Sequence, residues 1–366
     1  MQTIYEKLAF HLSTLGMGMP LNEDLIEILK ECLSPNEAAI LLLFPTRVAP
    51  LESASIDEIS QNSHLPREEL IKELENLTGR GLLFTGKTAE GTKGYALQQV
   101  GFGFPQTFFW KGEDTPYARN MANLIGKYFN RKVTAQGYAG SETKTSRYIS
   151  VSSAIDRDTQ SVFPYHMMEH VINNAEVFAV AHCACRVVMQ LKGRGCEHPH
   201  EVCLKFDDMA EYLIERDLGR QISREEALEV IKKSEDAGLV HFVDNVIKDI
   251  KHNCNCCGCS CWNVGNIKRR KIPRDVLMAT YFIRETDFRT CNGCGRCLSI
   301  CPVDAISIEA EHAVVDKDWC IGCGLCVRDC PTGASKLAVR TDVQDRSPMP
   351  DFATLHEQIL KEKGLR

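Results

Sequence analysis

Several features that define other classes of protein are missing from this chain. No apolar run approaches the roughly 18 residues that cross a bilayer, and the first residues lack the basic and apolar pattern of a secretory leader. The net charge of −6 provides no overall basic excess for nucleic acid. No Gly-x-Gly-x-x-Gly lies between a strand and a helix, which argues against a built-in dinucleotide site. We therefore expect a cytoplasmic protein without a membrane span, and DNA is a disfavoured partner.

Cysteine is almost absent from the first half of the chain but abundant in the second. Of the 18 cysteines, only Cys32 lies outside residues 183–330. A disulfide-stabilised secreted domain is small and carries a leader, whereas this chain has 366 residues, enough for two or three domains. The clustered thiols are therefore expected to stay reduced and to bind metal.

Eight of these cysteines form two near-copies of one pattern, Cys-x2-Cys-x2-Cys-x3-Cys-Pro. The first copy comprises Cys291, Cys294, Cys297 and Cys301, and the second comprises Cys320, Cys323, Cys326 and Cys330. With a proline after each copy, the pattern resembles bacterial-type ferredoxin domains, which hold two [4Fe–4S] clusters. A pair of zinc sites is the alternative, and two complete copies of the motif disfavour it.

The resemblance implies a set of ligands for each cluster, because the fourth cysteine of each motif binds the cluster of the other motif. The first cluster would be bound by Cys291, Cys294, Cys297 and Cys330. The second cluster would be bound by Cys320, Cys323, Cys326 and Cys301. The expected chemistry is single-electron transfer at low potential.

Nine further cysteines predict at least one additional metal site in the middle of the chain. They are Cys183, Cys185, Cys196, Cys203, Cys254, Cys256, Cys257, Cys259 and Cys261. Because alternate residues of an extended chain face one way, Cys257, Cys259 and Cys261 are expected to share a face. Cys254 and Cys256 are then left for another partner. A third Fe–S cluster is the favoured occupant, with zinc or a redox dithiol as alternatives, and His198 is expected to be a polar neighbour.

The first 100 residues predict helices followed by a pair of strands. Capping boxes begin helices at Ser34 and Ser55, and a longer helix starts at Pro66. Two strands then flank a glycine-rich loop, which gives the order of a winged helix. The predicted recognition helix, 67–80, carries more acidic than basic side chains, so an interaction module is favoured over a DNA-binding one.

The whole chain resembles uncharacterised 4Fe–4S binding proteins of anaerobes that have an N-terminal winged-helix-like domain. The resemblance depends on His182-Cys183-x-Cys185-Arg186, on the cysteine run from Cys254 to Cys261 and on the ferredoxin unit. With the predicted elements, it indicates an α+β multidomain fold. The expected parts are a winged-helix-like interaction domain at 1–100, a cysteine-rich middle α/β domain at 101–272, a ferredoxin-like 2[4Fe–4S] domain at 282–340 and a C-terminal tail at 341–366.

These features predict an iron–sulfur protein that relays single electrons through two [4Fe–4S] clusters and a third cysteine-bound site to a partner oxidoreductase. The expected partner is a reductase or flavoenzyme. A redox-sensing winged-helix regulator and an Fe–S reductase with its substrate site in the middle domain are the alternatives. The sequence identifies no catalytic residue, substrate or oligomeric state, although a homodimer is compatible with it.

Overall fold

The computed structural model describes residues 2–343 and 347–366. Its α-helices are α1 Ile4–Ser13, α2 Glu23–Cys32, α3 Pro35–Leu41, α4 Ile56–Ser60, α5 Arg67–Gly79, α6 Phe104–Thr107, α7 Pro116–Tyr128, α8 Arg131–Tyr138, α9 Arg157–Val162, α10 Met168–Asn173, α11 Ala184–Leu191, α12 Asp207–Glu215, α13 Arg224–Asp236, α14 Val264–Arg270, α15 Arg274–Leu277, α16 Arg296–Ile300, α17 Leu325–Arg328 and α18 Phe352–Glu362. Two short 3-10 helices span Ser152–Ala154 and Pro164–His166. Its strands are β1 Ala54–Ser55, β2 Leu83–Lys87, β3 Lys93–Leu97, β4 Ser146–Ile149, β5 Phe178–His182, β6 Glu201–Phe206, β7 Arg220–Ile222, β8 Val240–Asp244, β9 His252–Cys256, β10 Phe282–Thr286, β11 Ile306–Glu309, β12 His312–Val315 and β13 Ser335–Val339. The fold class is α+β, as predicted.

The N-terminal part consists of helices α1 to α5 and a three-stranded antiparallel sheet in the order β1-β3-β2. Both reciprocal hydrogen bonds of a capping box are present at Ser34 and at Ser55, as the sequence predicts. Leu70, Leu74 and Leu77 of α5 are fully buried in the core that these helices share. The elements lie where they are expected, and the winged-helix-like assignment of this part stays a prediction.

A six-stranded antiparallel sheet, in the order β4-β8-β9-β6-β5-β7, forms the centre of the molecule. Because side chains alternate along a strand, Phe178 and Val180 of β5 enter the core beneath α10 and α13, whereas Ala179 and Ala181 face α12 on the other side. In β6, Cys203 belongs to that second face. The same alternation groups His252, Cys254 and Cys256 of β9.

The two sides of this sheet receive different neighbours. Phe84 of β2 and Trp110 pack on the second face, where the Tyr212 hydroxyl donates a hydrogen bond to the Leu83 carbonyl at 2.9 Å. Leu355 and Ile359 of α18 join the core on the first face. The N-terminal part and the C-terminal helix are therefore packed directly against the middle region.

The C-terminal cysteines lie in a small unit with two separate pairs of strands. Strand β10 pairs with β13, and β11 pairs with β12, all antiparallel. The short helices α16 and α17 each follow a glycine in the left-handed conformation, Gly295 and Gly324. Within the described ranges, no helix combines the length and apolar character needed to cross a membrane.

Candidate metal centres

The first four predicted cluster ligands surround one cavity of the C-terminal unit. Cys291, Cys294, Cys297 and Cys330 line it together. Cys294 is exposed, and the other three are half-buried. The backbone N–H of Ala313 lies 3.4 Å from the Cys291 sulfur, and the Thr332 hydroxyl lies 3.7 Å from the Cys330 sulfur. Four thiols and nearby donors converge here on a cavity close to the surface.

The second predicted set surrounds another cavity, which lies deeper. It is lined by Cys301, Cys320, Cys323 and Cys326, and the last three of these are buried. Burial raises the pKa of Cys326 to about 12, so its thiolate requires a compensating positive charge. Because metal ligation supplies that charge and needs the thiolate form, the donor set fits a metal cluster.

Two glycines keep the loops close to their neighbouring strands. A Cβ at Gly293 would lie 2.3 Å from the Glu311 carbonyl oxygen, and one at Gly322 would lie 2.2 Å from that of Phe282. Both residues have positive φ, at 66° and 64°. Any larger residue would push the cysteine loops out of place, so the backbone path around each cavity depends on glycine.

Arg284 lies between these two cavities and lines both of them. Its side chain is 2% exposed, and its Nε donates to the Ser335 hydroxyl at 2.8 Å. One terminal nitrogen lies 3.9 Å from the Cys297 sulfur, and the Ser335 hydroxyl lies 3.8 Å from the Cys326 sulfur. A buried positive charge is thus shared by the two thiol groups.

Six of the nine middle cysteines line a third and larger cavity on the second face of the central sheet. They are Cys183, Cys185, Cys203, Cys254, Cys256 and Cys261. Strands β6 and β9 present three of them, the start of α11 presents two, and the turn after β9 presents Cys261. The cavity has a volume of about 150 Å³, whereas the two ferredoxin-type cavities have about 20 Å³ each.

Hydrogen bonds among the thiols of this six-cysteine cavity lower the pKa of three of them, Cys183, Cys254 and Cys261, and raise the pKa of their partners Cys185, Cys203 and Cys256. Hydrogen bonds from Cys203 and Cys256 hold the pKa of Cys254 well below its ordinary value. Burial alone would lower the pKa of Lys205, but the neighbouring sulfurs of Cys203 and Cys254 raise it. The Asn263 backbone N–H lies 3.2 Å from the Cys261 sulfur. Cationic and N–H donors therefore face sulfur, as a cluster site requires.

The three remaining middle cysteines form a separate group with a histidine. The ligand atoms of Cys196, His198, Cys257 and Cys259 all lie within 4.8 Å of one another. Hydrogen bonds from Ser260 and His198 lower the pKa of Cys196 to about 6, against the effect of burial, which alone would raise it. Its residues lie in the loop before β6 and in the turn after β9.

The structure corrects the expected division of the cysteine run. Cys254 and Cys256 do face one way, but Cys261 lies with them in the six-cysteine cavity rather than with Cys257 and Cys259. The chain turns after β9, so the alternation of an extended strand ends at Cys256. Cys196 likewise separates from Cys183, Cys185 and Cys203. His198 was expected to be only a polar neighbour, and no signal in its local sequence indicates its place beside three thiols.

Comparison with known proteins covers only the C-terminal cysteines. No curated protein matches the chain, and no solved structure matches it. Residues 290–334 match the family described as the 4Fe-4S dicluster domain, and this span contains all eight cysteines of the two motifs. The C-terminal part of this chain is thus similar to a domain that binds two 4Fe–4S clusters.

Proposed function

We propose that this chain is a cytoplasmic iron–sulfur electron-transfer protein. Two [4Fe–4S] clusters, bound by Cys291, Cys294, Cys297 and Cys330 and by Cys320, Cys323, Cys326 and Cys301, would exchange single electrons with a third Fe–S centre. That third centre would occupy the six-cysteine cavity. A reductase or flavoenzyme is the proposed partner.

One observation carries the proposal: the second cysteine-lined cavity shares Arg284 with the first and packs on the middle region that contains the third. The first has the exposed Cys294 at its rim, whereas the second is built mainly from buried thiols. The second also packs directly on the middle region, because the Val151 N–H donates to the Cys323 carbonyl at 2.9 Å. Cys256, Cys261, Cys320 and Cys323 share one apolar core. This order supports a path from the surface to the third cavity.

The protein's own part in this chemistry is to hold and tune the centres. Cubane clusters supply one-electron exchange with little structural change, and their potentials depend on burial, charge and hydrogen bonds to sulfur. Backbone N–H groups of Ala305 and Ala313 point to the Cys301 and Cys291 sulfurs, at 3.3 and 3.4 Å. Lys205 places a buried cation beside the third site. These contacts stabilise the reduced, more negative state of each centre.

Metal and sulfide analysis of anaerobically purified protein tests the third centre. Two ferredoxin-type clusters account for about eight irons per chain, so a third Fe–S centre should raise the total to about twelve or more. A Cys203→Ser, Cys254→Ser double variant should return the iron content to about eight, and its EPR spectrum should keep the two ferredoxin-type signals.

Cys32 provides the matched control. It is buried in α2, far in sequence from all three cavities, and its thiol contacts the Leu29 carbonyl of the same helix. Cys32→Ala should leave the iron and sulfide content unchanged. About eight irons in the wild-type protein, with intact ferredoxin-type signals, would refute the third centre but not the dicluster unit.

A reductase is the second candidate function, because the six-cysteine cavity offers more room than a cubane needs. Its volume exceeds that of each ferredoxin-type cavity several-fold. Its lining includes Lys205 and the contact between the His252 imidazole and the Asp244 carboxylate, whose atoms are 2.9 Å apart. These groups suit a small polar substrate beside the third centre, with electrons arriving from the ferredoxin unit.

Cyanide, a small anion that binds accessible iron, distinguishes the carrier from the reductase. A third centre with open space beside it should change its EPR signal when cyanide is added, while the ferredoxin-type signals stay constant. A spectrum that cyanide leaves unchanged would indicate a fully ligated centre and would contradict the reductase function.

A further inference from the structure

The group of Cys196, His198, Cys257 and Cys259 stands apart from every cavity described above. Cys196 and His198 lie in the loop between α11 and β6, and Cys257 and Cys259 lie in the turn after β9. Cys257 is buried, and Cys259 is exposed. None of the four lines the six-cysteine cavity. The loop and the turn lie next to each other, and their contact brings four metal-binding side chains together near the surface.

The distances within this group match a single ion. The sulfurs of Cys196 and Cys257 are 4.0 Å apart, and the Cys259 sulfur lies 3.9 Å from Nδ1 of His198. A tetrahedral zinc ion with Zn–S bonds of about 2.3 Å separates two ligand sulfurs by about 3.8 Å. A four-iron cubane holds its thiolates farther apart, because each sulfur binds a different iron.

We propose that Cys196, His198, Cys257 and Cys259 form a mononuclear zinc site that is separate from the iron–sulfur centres. Three thiolates and one imidazole are a ligand set of closed, structural zinc sites, in which no position is left for water. Each pair of ligands is separated by one residue, so each of the two segments contributes one edge of the tetrahedron.

Positive side chains hold both ligand-bearing segments. Arg186 is 1% exposed and donates to the carbonyls of Pro199 and Asn255, at 2.6 and 2.5 Å. Arg269 of α14 donates to the carbonyls of Gly258 and Cys259. A zinc ion with three thiolates carries a net negative charge, which these two guanidinium groups offset. The Ser260 hydroxyl, 3.3 Å from the Cys196 sulfur, adds a hydrogen bond to a ligand.

The site has a structural consequence for its neighbour. The residues on either side of Cys257 and Cys259 include Cys256 and Cys261, which line the six-cysteine cavity. A zinc ion that fixes Cys257 and Cys259 therefore fixes the turn that begins after Cys256 and presents Cys261 to the cavity. The zinc site would keep this turn in place whether or not the larger cavity holds its own centre.

Zinc and iron measured together in the anaerobically purified full chain test this assignment. We expect about one zinc per chain in addition to iron. His198→Ala should weaken zinc binding by on the order of 100-fold in competition with a chelating dye, because it removes a ligand. His200→Ala is the matched control, since His200 contacts Cys183 through its backbone carbonyl and lies outside the group. The control variant should retain zinc.

X-ray absorption at the zinc edge gives a second readout that does not depend on a variant folding. The expected first shell contains three sulfurs at about 2.3 Å and one nitrogen at about 2.0 Å. Wild-type protein without zinc, a single iron in its place, or a shell of four sulfurs would overturn the proposal. Unchanged zinc affinity in folded His198→Ala would also overturn it. None of these outcomes bears on the dicluster unit, whose iron content is measured in the same sample.

Discussion

We predict that Arg284 influences the potentials of both proposed ferredoxin-type centres. It is a buried cation that lines both cavities, and it contacts the Cys297 sulfur directly and the Cys326 sulfur through Ser335. A positive charge favours the reduced cluster, which is the more negative state. We predict that Arg284→Met lowers the reduction potentials of both clusters. A unit charge about 8 Å away at an effective dielectric constant of about 20 corresponds to on the order of 90 mV.

Potentiometric titration followed by EPR measures this shift. Arg289→Met is the control, because Arg289 is exposed and paired with Asp287 at 3.2 Å; its removal should change the potentials little, since solvent screens the charge. Arg284→Lys keeps the positive charge, so its cluster potentials should stay closer to those of the wild type than the potentials of Arg284→Met. Potentials that stay the same in Arg284→Met would show that the guanidinium does not tune the clusters.

At the scale of single elements, local sequence signals predicted much of the N-terminal part but less of the middle. The capping boxes at Ser34 and Ser55 form as expected, because they involve residues three apart. Ser223 and Glu226 have the spacing of a capping box, but only half of the box is formed: Ser223 accepts from the Glu226 N–H, whereas the Glu226 carboxylate pairs with Arg220 at 2.7 Å. The ion pair with Arg220 has replaced the hydrogen bond that the Glu226 carboxylate would accept from the Ser223 N–H. Arg220 lies six residues away, outside the spacing that defines a capping box.

The cysteine sites show the same limit. The eight ferredoxin-type cysteines could be grouped from sequence, because three of each set lie in one short loop of fixed spacing and the resemblance to ferredoxin domains implies the exchange of the fourth. The middle cysteines could not, because strands β6 and β9, about 50 residues apart, decide which thiols meet. Whether Cys261 lies with Cys259 or with Cys256 depends on the turn after β9, which spacing alone does not define.

Basic side chains of the predicted recognition helix and of the strand pair that follows it form ion pairs within the N-terminal part. Lys93 of β3 pairs with Glu75 of α5, and Arg67 at the start of α5 pairs with Asp57 of α4. These basic side chains are therefore engaged with carboxylates, which reduces the positive charge that a DNA backbone would require. The arrangement favours an interaction module, in keeping with the acidic excess of the helix.

Helix α18 carries a pH-sensitive contact. His356 is 2% exposed and packs against Phe352 with ring centroids 4.3 Å apart, and its burial lowers its pKa to about 4. The folded protein therefore keeps this imidazole neutral, whereas the unfolded chain protonates it below about pH 6.5. We predict that stability falls between about pH 6.5 and 4, by about 1 kcal/mol at pH 5.5 relative to pH 7.5 from this group alone. His356→Phe should abolish this part of the loss of stability at low pH.

Anaerobic urea denaturation at pH 7.5 and 5.5 compares the variant with the wild type. His64→Gln, at an exposed position, is the control and should retain the full loss of stability at the lower pH. An equal loss in His356→Phe and in the wild type would mean that this buried imidazole does not account for the acid sensitivity.

At the scale of the whole molecule, the first cavity is the entrance to the proposed path, and its surroundings suit a protein partner. Three large apolar side chains of the C-terminal unit are exposed: Phe288 at 57%, Leu298 at 45% and Ile308 at 37%. Phe288 precedes Cys291 by three residues, and Leu298 follows Cys297. Exposed apolar groups beside an accessible centre are typical of a transient docking surface.

We predict that Phe288→Ser and Leu298→Ser each slow reduction by a protein donor, such as a reduced low-potential flavodoxin, by about tenfold. Loss of an apolar contact of about 1.4 kcal/mol produces that factor. Stopped-flow reduction measures the rate, and methyl viologen radical, which needs no docking surface, should reduce both variants at the wild-type rate. Phe10→Ser is the matched control, because Phe10 is 61% exposed in α1, in the N-terminal part of the chain.

If the donor reduces all three variants at the wild-type rate, the partner docks elsewhere. If methyl viologen is slowed as well, the substitutions have damaged the first centre itself. Selective loss with the protein donor alone would identify this face as the point at which electrons enter.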